Sequence, residues 1–88
     1  MNPKLKADIN IQRVGAEVLL LNMSNEELYL LNEMALWIVD RCDGNHSLSQ
    51  IVMALIDSFE IDQETASRDV KAVLDQLIRA EFIEYVDS

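Results

Sequence analysis

Polar and apolar residues alternate along DINIQRV at 8–14, the period of a strand with one face covered. Gly15 punctuates the pattern, and EVLLLN at 17–22 follows as a second short strand, apolar almost throughout. The turn residues Met23, Ser24, Asn25 and Glu26 then separate it from a third, LYLL at 28–31. Connections this short suit a three-stranded antiparallel meander. After Leu31 the period changes. Asn32 is placed to cap a helix, with Glu33 near its positive end. Met34, Ala35, Ile38 and Cys42 recur at three- and four-residue steps, with Trp37 at the border of that face, until Asp43-Gly44-Asn45 stops the helix. Ser47 and Gln50 form a capping-box pattern ahead of the stripe Leu48, Ile51, Val52, Leu55, Ile56 and Phe59. Asp62 caps a third helix reaching about Ala80, its inner face being Ala66, Val70, Val73, Leu74, Leu77 and Ile78. Residues 82–86 return to alternation, as a short strand or an extension. The order is β-β-β-α-α-α, an α+β domain over 8–86 with a flexible start at 1–7 and a tail at 87–88.

The third strand is apolar on both faces. Leu28 and Leu30 point one way, Tyr29 and Leu31 the other, yet a small sheet beside three helices covers only one face. In a meander this strand is also an edge, with unpaired backbone groups that must be covered, shortened or used. Two readings stay open. Either residues 82–86 cover the edge, or an extended peptide adds to it as a further strand.

Eighty-eight residues, half of them apolar, make one compact domain. No apolar run approaches the ~20 residues of a membrane span. The start, MNPKLKADINIQRV, lacks an apolar core for a signal peptide, so the cytoplasm is the expected compartment. Charge is uneven. Residues 1–22 hold three bases and two acids, whereas residues 23–88 hold four bases and fourteen acids. Such a body repels the phosphate backbone on which nucleic-acid affinity depends.

Chemistry-bearing residues are sparse. Cys42 is alone, so it has no disulfide partner and no second thiol for zinc, and it suits a buried position. His46 is the single histidine and falls in a turn, with Ser47 committed to capping and Asp43 to the turn. Two isolated glycines cannot build a phosphate loop. Neither an enzyme, a metal nor a cofactor is expected. On the third helix Arg68, Lys71 and Asp75 share a face that Arg79 continues. That face is either solvated, with ion pairs of a few tenths of a kcal/mol, or one wall of a groove holding a ligand.

The order of elements, the hairpin EVLLLN…ELYLLN, the TyrLeuLeuAsn-x-x-Ala run at 29–35, CysAspGly at 42–44 followed by SerLeuSerGlnIle, and AspVal at 69–70 together resemble the PqqD-like family. These are the peptide-recognition domains of ribosomal peptide natural-product (RiPP) biosynthesis. The resemblance implies a winged-helix-like fold without enzymatic activity. It implies capture of the leader segment of a precursor peptide, presented to a modifying enzyme such as a radical SAM maturase or a leader peptidase. It also implies that the leader adds beside the third strand, here Glu27, Leu28, Tyr29, Leu30 and Leu31, and lies against the last helix. On that helix, geometry suggests Arg68, Lys71, Leu74, Asp75 and Ile78. Two departures keep the pathway open between the quinone cofactor and lasso or other modified peptides. The hairpin turn reads AsnMetSerAsn at 22–25 instead of TyrProGluGly-like, and Glu81 stands where a Gly commonly precedes the apolar pair Phe82-Ile83. The domain is expected to be a monomer that binds neither membrane nor nucleic acid. The alternative is a winged-helix DNA-binding regulator, against which the acids Asp62, Glu64, Asp69 and Asp75 of the last helix argue.

Overall fold

The computed structural model describes residues 1–87. Its elements are β1 (Asn2–Leu5), β2 (Ile9–Val14), β3 (Glu17–Asn22), β4 (Leu28–Leu31), α1 (Glu33–Val39), α2 (Leu48–Phe59), α3 (Gln63–Arg79) and β5 (Ile83–Val86). The fold is α+β: β2-β3-β4 form an antiparallel meander, and β1 and β5 a separate antiparallel pair.

The meander follows from its turns. Val14 pairs with Glu17 across a two-residue loop, in which Gly15 takes φ +64°. Between β3 and β4 the turn is organised by Asn22. Its side-chain oxygen accepts the backbone N–H groups of Ser24 (2.9 Å) and Asn25 (3.3 Å), and its Nδ2 donates to the Glu81 carbonyl at 2.8 Å. The three helix starts are capped as their sequences specify. The side chains of Asn32, Ser47 and Asp62 accept from the N–H groups of Ala35, Gln50 and Thr65, and Ser47 completes a capping box with Gln50.

The core gathers the inward face of the sheet and the helical stripes. Leu20, Ile38, Ile51, Leu55, Val70, Leu77 and Phe82 have no solvent exposure. Helix α1 ends at Val39, yet Cys42 stays buried beyond it, its thiol against the Ile38 carbonyl at 3.4 Å.

Two expectations are corrected. Residues 1–7 contain a strand, β1, where a flexible start was expected. Asn2 Nδ2 donates to the Gly44 carbonyl (3.0 Å), the Gly44 N–H to the Pro3 carbonyl (3.0 Å) and the Leu5 N–H to the Cys42 carbonyl (3.0 Å). Pro3 is fully buried, and a proline is tolerated here because its backbone faces the Gly44 turn, as its carbonyl does, and owes no donor to the β5 ladder. Gly44 is required, since it takes φ +83° and a Cβ would press on Val86 and Lys4. Strand β2, at the edge of the meander, is largely exposed instead of half-covered; Ile9 alone packs against the core, and Ile11 and Val14 remain in solvent. Asp87 follows β5, and the last residue of the expected tail, Ser88, lies outside the described residues.

Candidate peptide-binding edge

Strand β4 pairs with β3 on one side in the register Val18↔Leu31, Leu19↔Leu30, Leu20↔Tyr29 and Leu21↔Leu28. Among the described residues no strand pairs with its other side, since β5 goes to β1. The reading in which residues 82–86 cover this edge is thereby excluded.

Backbone direction alternates along a strand, so each residue faces its N–H and C=O either toward the partner or away from it. The Glu27 carbonyl accepts the Asn22 N–H at 2.9 Å, which sets the phase. Tyr29 and Leu31 direct their backbone groups at β3, as Glu27 does its carbonyl, while the Glu27 N–H donates to Asn25 Oδ1 at 2.9 Å. Leu28 and Leu30 direct theirs, two donors and two acceptors, outward from the sheet edge.

The side chains divide independently of the backbone. Tyr29 and Leu31 face the core. The Tyr29 ring meets Phe82 edge-on with centroids 6.0 Å apart, and its hydroxyl donates to Gln76 Oε1 of α3. Partial burial raises the Tyr29 phenol above its ordinary value. Leu28 and Leu30 lie on the solvent face of the sheet, 62% and 60% exposed, opposite Leu21 and Leu19. The strand that looked too apolar for one-sided packing is open on its outer face as well as along its edge.

Helix α3 forms the wall beside β4, and the hydrogen bond joining the two falls on Gln76, which helical geometry did not single out. At about 100° per residue, Leu74 and Ile78 lie about 160° from Gln76 around the helix and Lys71 about 140°. Leu74 is closed inside the core at 1% exposure, and Ile78 packs against it, half-buried. Lys71 turns toward α2, where with Ser67 it lines a cavity of about 380 Å³ floored by Leu48, Val52 and Met53. Arg68 and Asp75 stand between these two faces, and Arg68 Nε lies 3.9 Å from Asp69. The helical face that Gln76 occupies holds Asp69, Ala72, Val73, Arg79 and Ala80 at three-, four- and seven-residue steps. Asn22 and Phe82 were also missed. Their roles depend on which segments the chain brings beside β4, and no local spacing carries that.

His46 Nδ1 meets Asp43 Oδ1 at 2.9 Å in an exposed turn. Asp43 is held below the usual carboxylate range first by the Asn45 backbone N–H and then by His46. Burial, with a smaller contribution from Asp43, pushes the Cys42 thiol up to about 12. Among the described residues no group of three or more His, Cys, Asp or Glu could hold a metal ion, and no helix is long and apolar enough to cross a membrane.

Comparison with known proteins places this geometry. The family model described as coenzyme PQQ synthesis protein D (PqqD) matches residues 17–83. Proteins named PqqA binding protein from Xanthomonas euvesicatoria pv. vesicatoria (strain 85-10) and Xanthomonas axonopodis pv. citri (strain 306) are each 31% identical over 75 residues, covering 85% of this chain and 82% of theirs. In overall fold the chain is similar to TbiB1 in complex with the TbiA(beta) leader peptide (TM-score 0.81) and to lasso peptide synthetase B1 complexed with the leader peptide (TM-score 0.83). Each is 24% identical, with 96% of this chain and 99% of the other covered. The heterocyclase TruD contains a similar fold (TM-score 0.67, 19% identity) over 97% of this chain and 11% of its own.

Proposed function

The chain belongs to the PqqD family, and from that premise we propose that it is a non-catalytic module capturing the leader segment of a ribosomally made precursor peptide. The leader adds as a strand beside β4, between that strand and the Gln76 face of α3. The observation that carries this reading is the open edge of β4, where Leu28 and Leu30 offer two N–H and two C=O groups in the phase of an antiparallel or parallel ladder. Four such bonds contribute about 1 kcal/mol each after desolvation, so the ladder alone gives modest affinity. The remainder comes from leader side chains, which alternate between the inner cleft beside Tyr29 and the outer face beside Leu28 and Leu30. The PqqA binding proteins and the leader-bound neighbours support this reading.

We read the fold as winged-helix-like, the domain as a cytoplasmic monomer, and its second partner as the enzyme that modifies or cleaves the captured precursor. The DNA-binding alternative is disfavoured by the formal charge of −9. The test is calorimetric titration with a synthetic leader of the cognate precursor. Leu30→Pro removes one outward donor and leaves the bonds to β3 in place, so it folds and loses roughly tenfold or more in affinity. Undiminished binding by that variant rules out strand addition at β4.

A further inference from the structure

The ends of the β4 edge are acidic. At the turn end, Glu26 and Glu27 precede the strand directly, both exposed. The same turn gathers two more carboxylates from distant parts of the chain. Asn25 Nδ2 donates to Glu81 Oε2 at 3.3 Å, and the Ser24 hydroxyl bonds to Asp8. At the other end Glu33 opens α1 two residues beyond Leu31, also exposed. The only charges on the Gln76 face of α3 are Asp69 and Arg79, which offset each other. Lys6, whose backbone N–H reaches the Phe82 carbonyl, is the other base near the turn. Of the three remaining bases of the body, Lys71 turns to α2, Arg68 lies 3.9 Å from Asp69, and Arg41 stacks on Trp37 with its guanidinium 3.6 Å from the ring centre. Carboxylates therefore outnumber bases at both ends of an edge whose middle is apolar.

We infer that the segment this edge selects is a short apolar stretch flanked by basic residues, with Lys or Arg on either side of the part that pairs with Leu28–Leu31. This rests on the proposed strand addition and names the chemistry of its ligand. Leu28 to Leu31 span about 10 Å, so residues just beyond a four-residue pairing segment fall over Glu26, Glu27 and Glu81 at one end and Glu33 at the other. With a Debye length of about 8 Å at physiological salt, carboxylates at this range act on the ends of the bound strand and on its approach. A leader with acidic flanks meets like charge at both ends.

The test uses three synthetic peptides sharing one alternating apolar core and flanked on both sides by two Lys, two Ser or two Glu. Each is titrated into the ¹⁵N-labelled chain, with shifts of the Leu28 and Leu30 amides as the readout of edge binding. The Lys-flanked peptide binds about tenfold or more tightly than the Glu-flanked one at low salt, and the gap narrows at high salt. In a Glu27→Lys, Glu33→Lys variant the preference shrinks or reverses. Equal or tighter edge binding by the Glu-flanked peptide overturns the charge inference and leaves strand addition standing. Unmoved Leu28 and Leu30 amides with all three peptides at millimolar concentration overturn strand addition, and this inference with it.

Discussion

Asn22 is 2% exposed, and both ends of its amide are engaged, the oxygen by two turn N–H groups and the nitrogen by the Glu81 carbonyl 59 residues away. It ties the β3–β4 turn to the end of α3 and so fixes how far β4 stands from the helix. Asn22→Ala leaves two backbone donors and a carbonyl without partners and costs about 2–3 kcal/mol, measured as a shift in the urea midpoint. Cys42 gives a pH signature. Its thiol titrates near 12 in the folded chain against an ordinary value of 9.0, chiefly because it is buried. A folded-state value above the unfolded one means that unfolding releases a proton at high pH. The stabilisation is complete below about pH 9 and is lost as pH rises toward 12, at up to about 1.4 kcal/mol per pH unit. Burial also raises Tyr29 and Tyr85. Chemical denaturation from pH 8 to 11 shows falling stability, and Cys42→Ala flattens the fall. A pH-independent midpoint contradicts the burial of the thiol. Cys42 was legible in the sequence as a buried residue. Asn22 looked like any turn asparagine, because its decisive partner comes from the other end of the chain.

Local signals specified most elements. The caps at Asn32, Ser47 and Asp62 and the apolar strand β3 each depend on residues within one turn or hairpin, and each formed where its sequence places it, whereas α1 stops at Val39, ahead of the expected stop at Asp43-Gly44-Asn45. Strand β1 did not follow from local pattern. Its four residues include Pro3, and its stability comes from β5 and the Gly44 turn about 40 residues on. The part of α3 that reaches β4 was not legible for a related reason. Periodicity shows which face of a helix is apolar, but not which neighbour lies on either flank, so the expected set spread over Lys71, Leu74 and Ile78 while the contact with β4 settled on Gln76. The alternation of β4 yields a paired prediction. Tyr29 spends its N–H on β3 and its ring on Phe82. Tyr29→Pro therefore breaks the ladder and the inner packing and unfolds the hairpin, whereas Leu30→Pro keeps the far-UV dichroism of the parent and loses only peptide binding. Equal damage from both substitutions contradicts the assigned phase.

At the scale of the molecule, two small sheets have separate duties. The β1–β5 pair closes the chain ends over the Cys42–Gly44 turn, and by holding β5 it keeps that strand away from β4. Deleting residues 1–6 exposes Phe82 and Ile83, costs about 2 kcal/mol and lowers the melting midpoint by roughly 10 °C. Peptide affinity also weakens as the freed β5 competes for the open edge. The acidic body adds the second constraint, discouraging nucleic acid and like-charged peptides alike. Strand addition depends on the outward backbone groups of Leu28 and Leu30, and amide hydrogen exchange reads them individually. In the free chain the Tyr29 and Leu31 amides are protected by β3, while those of Leu28 and Leu30 exchange quickly. With saturating leader peptide, Leu28 and Leu30 become protected as well and the other two change little. Exchange at Leu28 and Leu30 that stays fast in the saturated complex contradicts strand addition at β4.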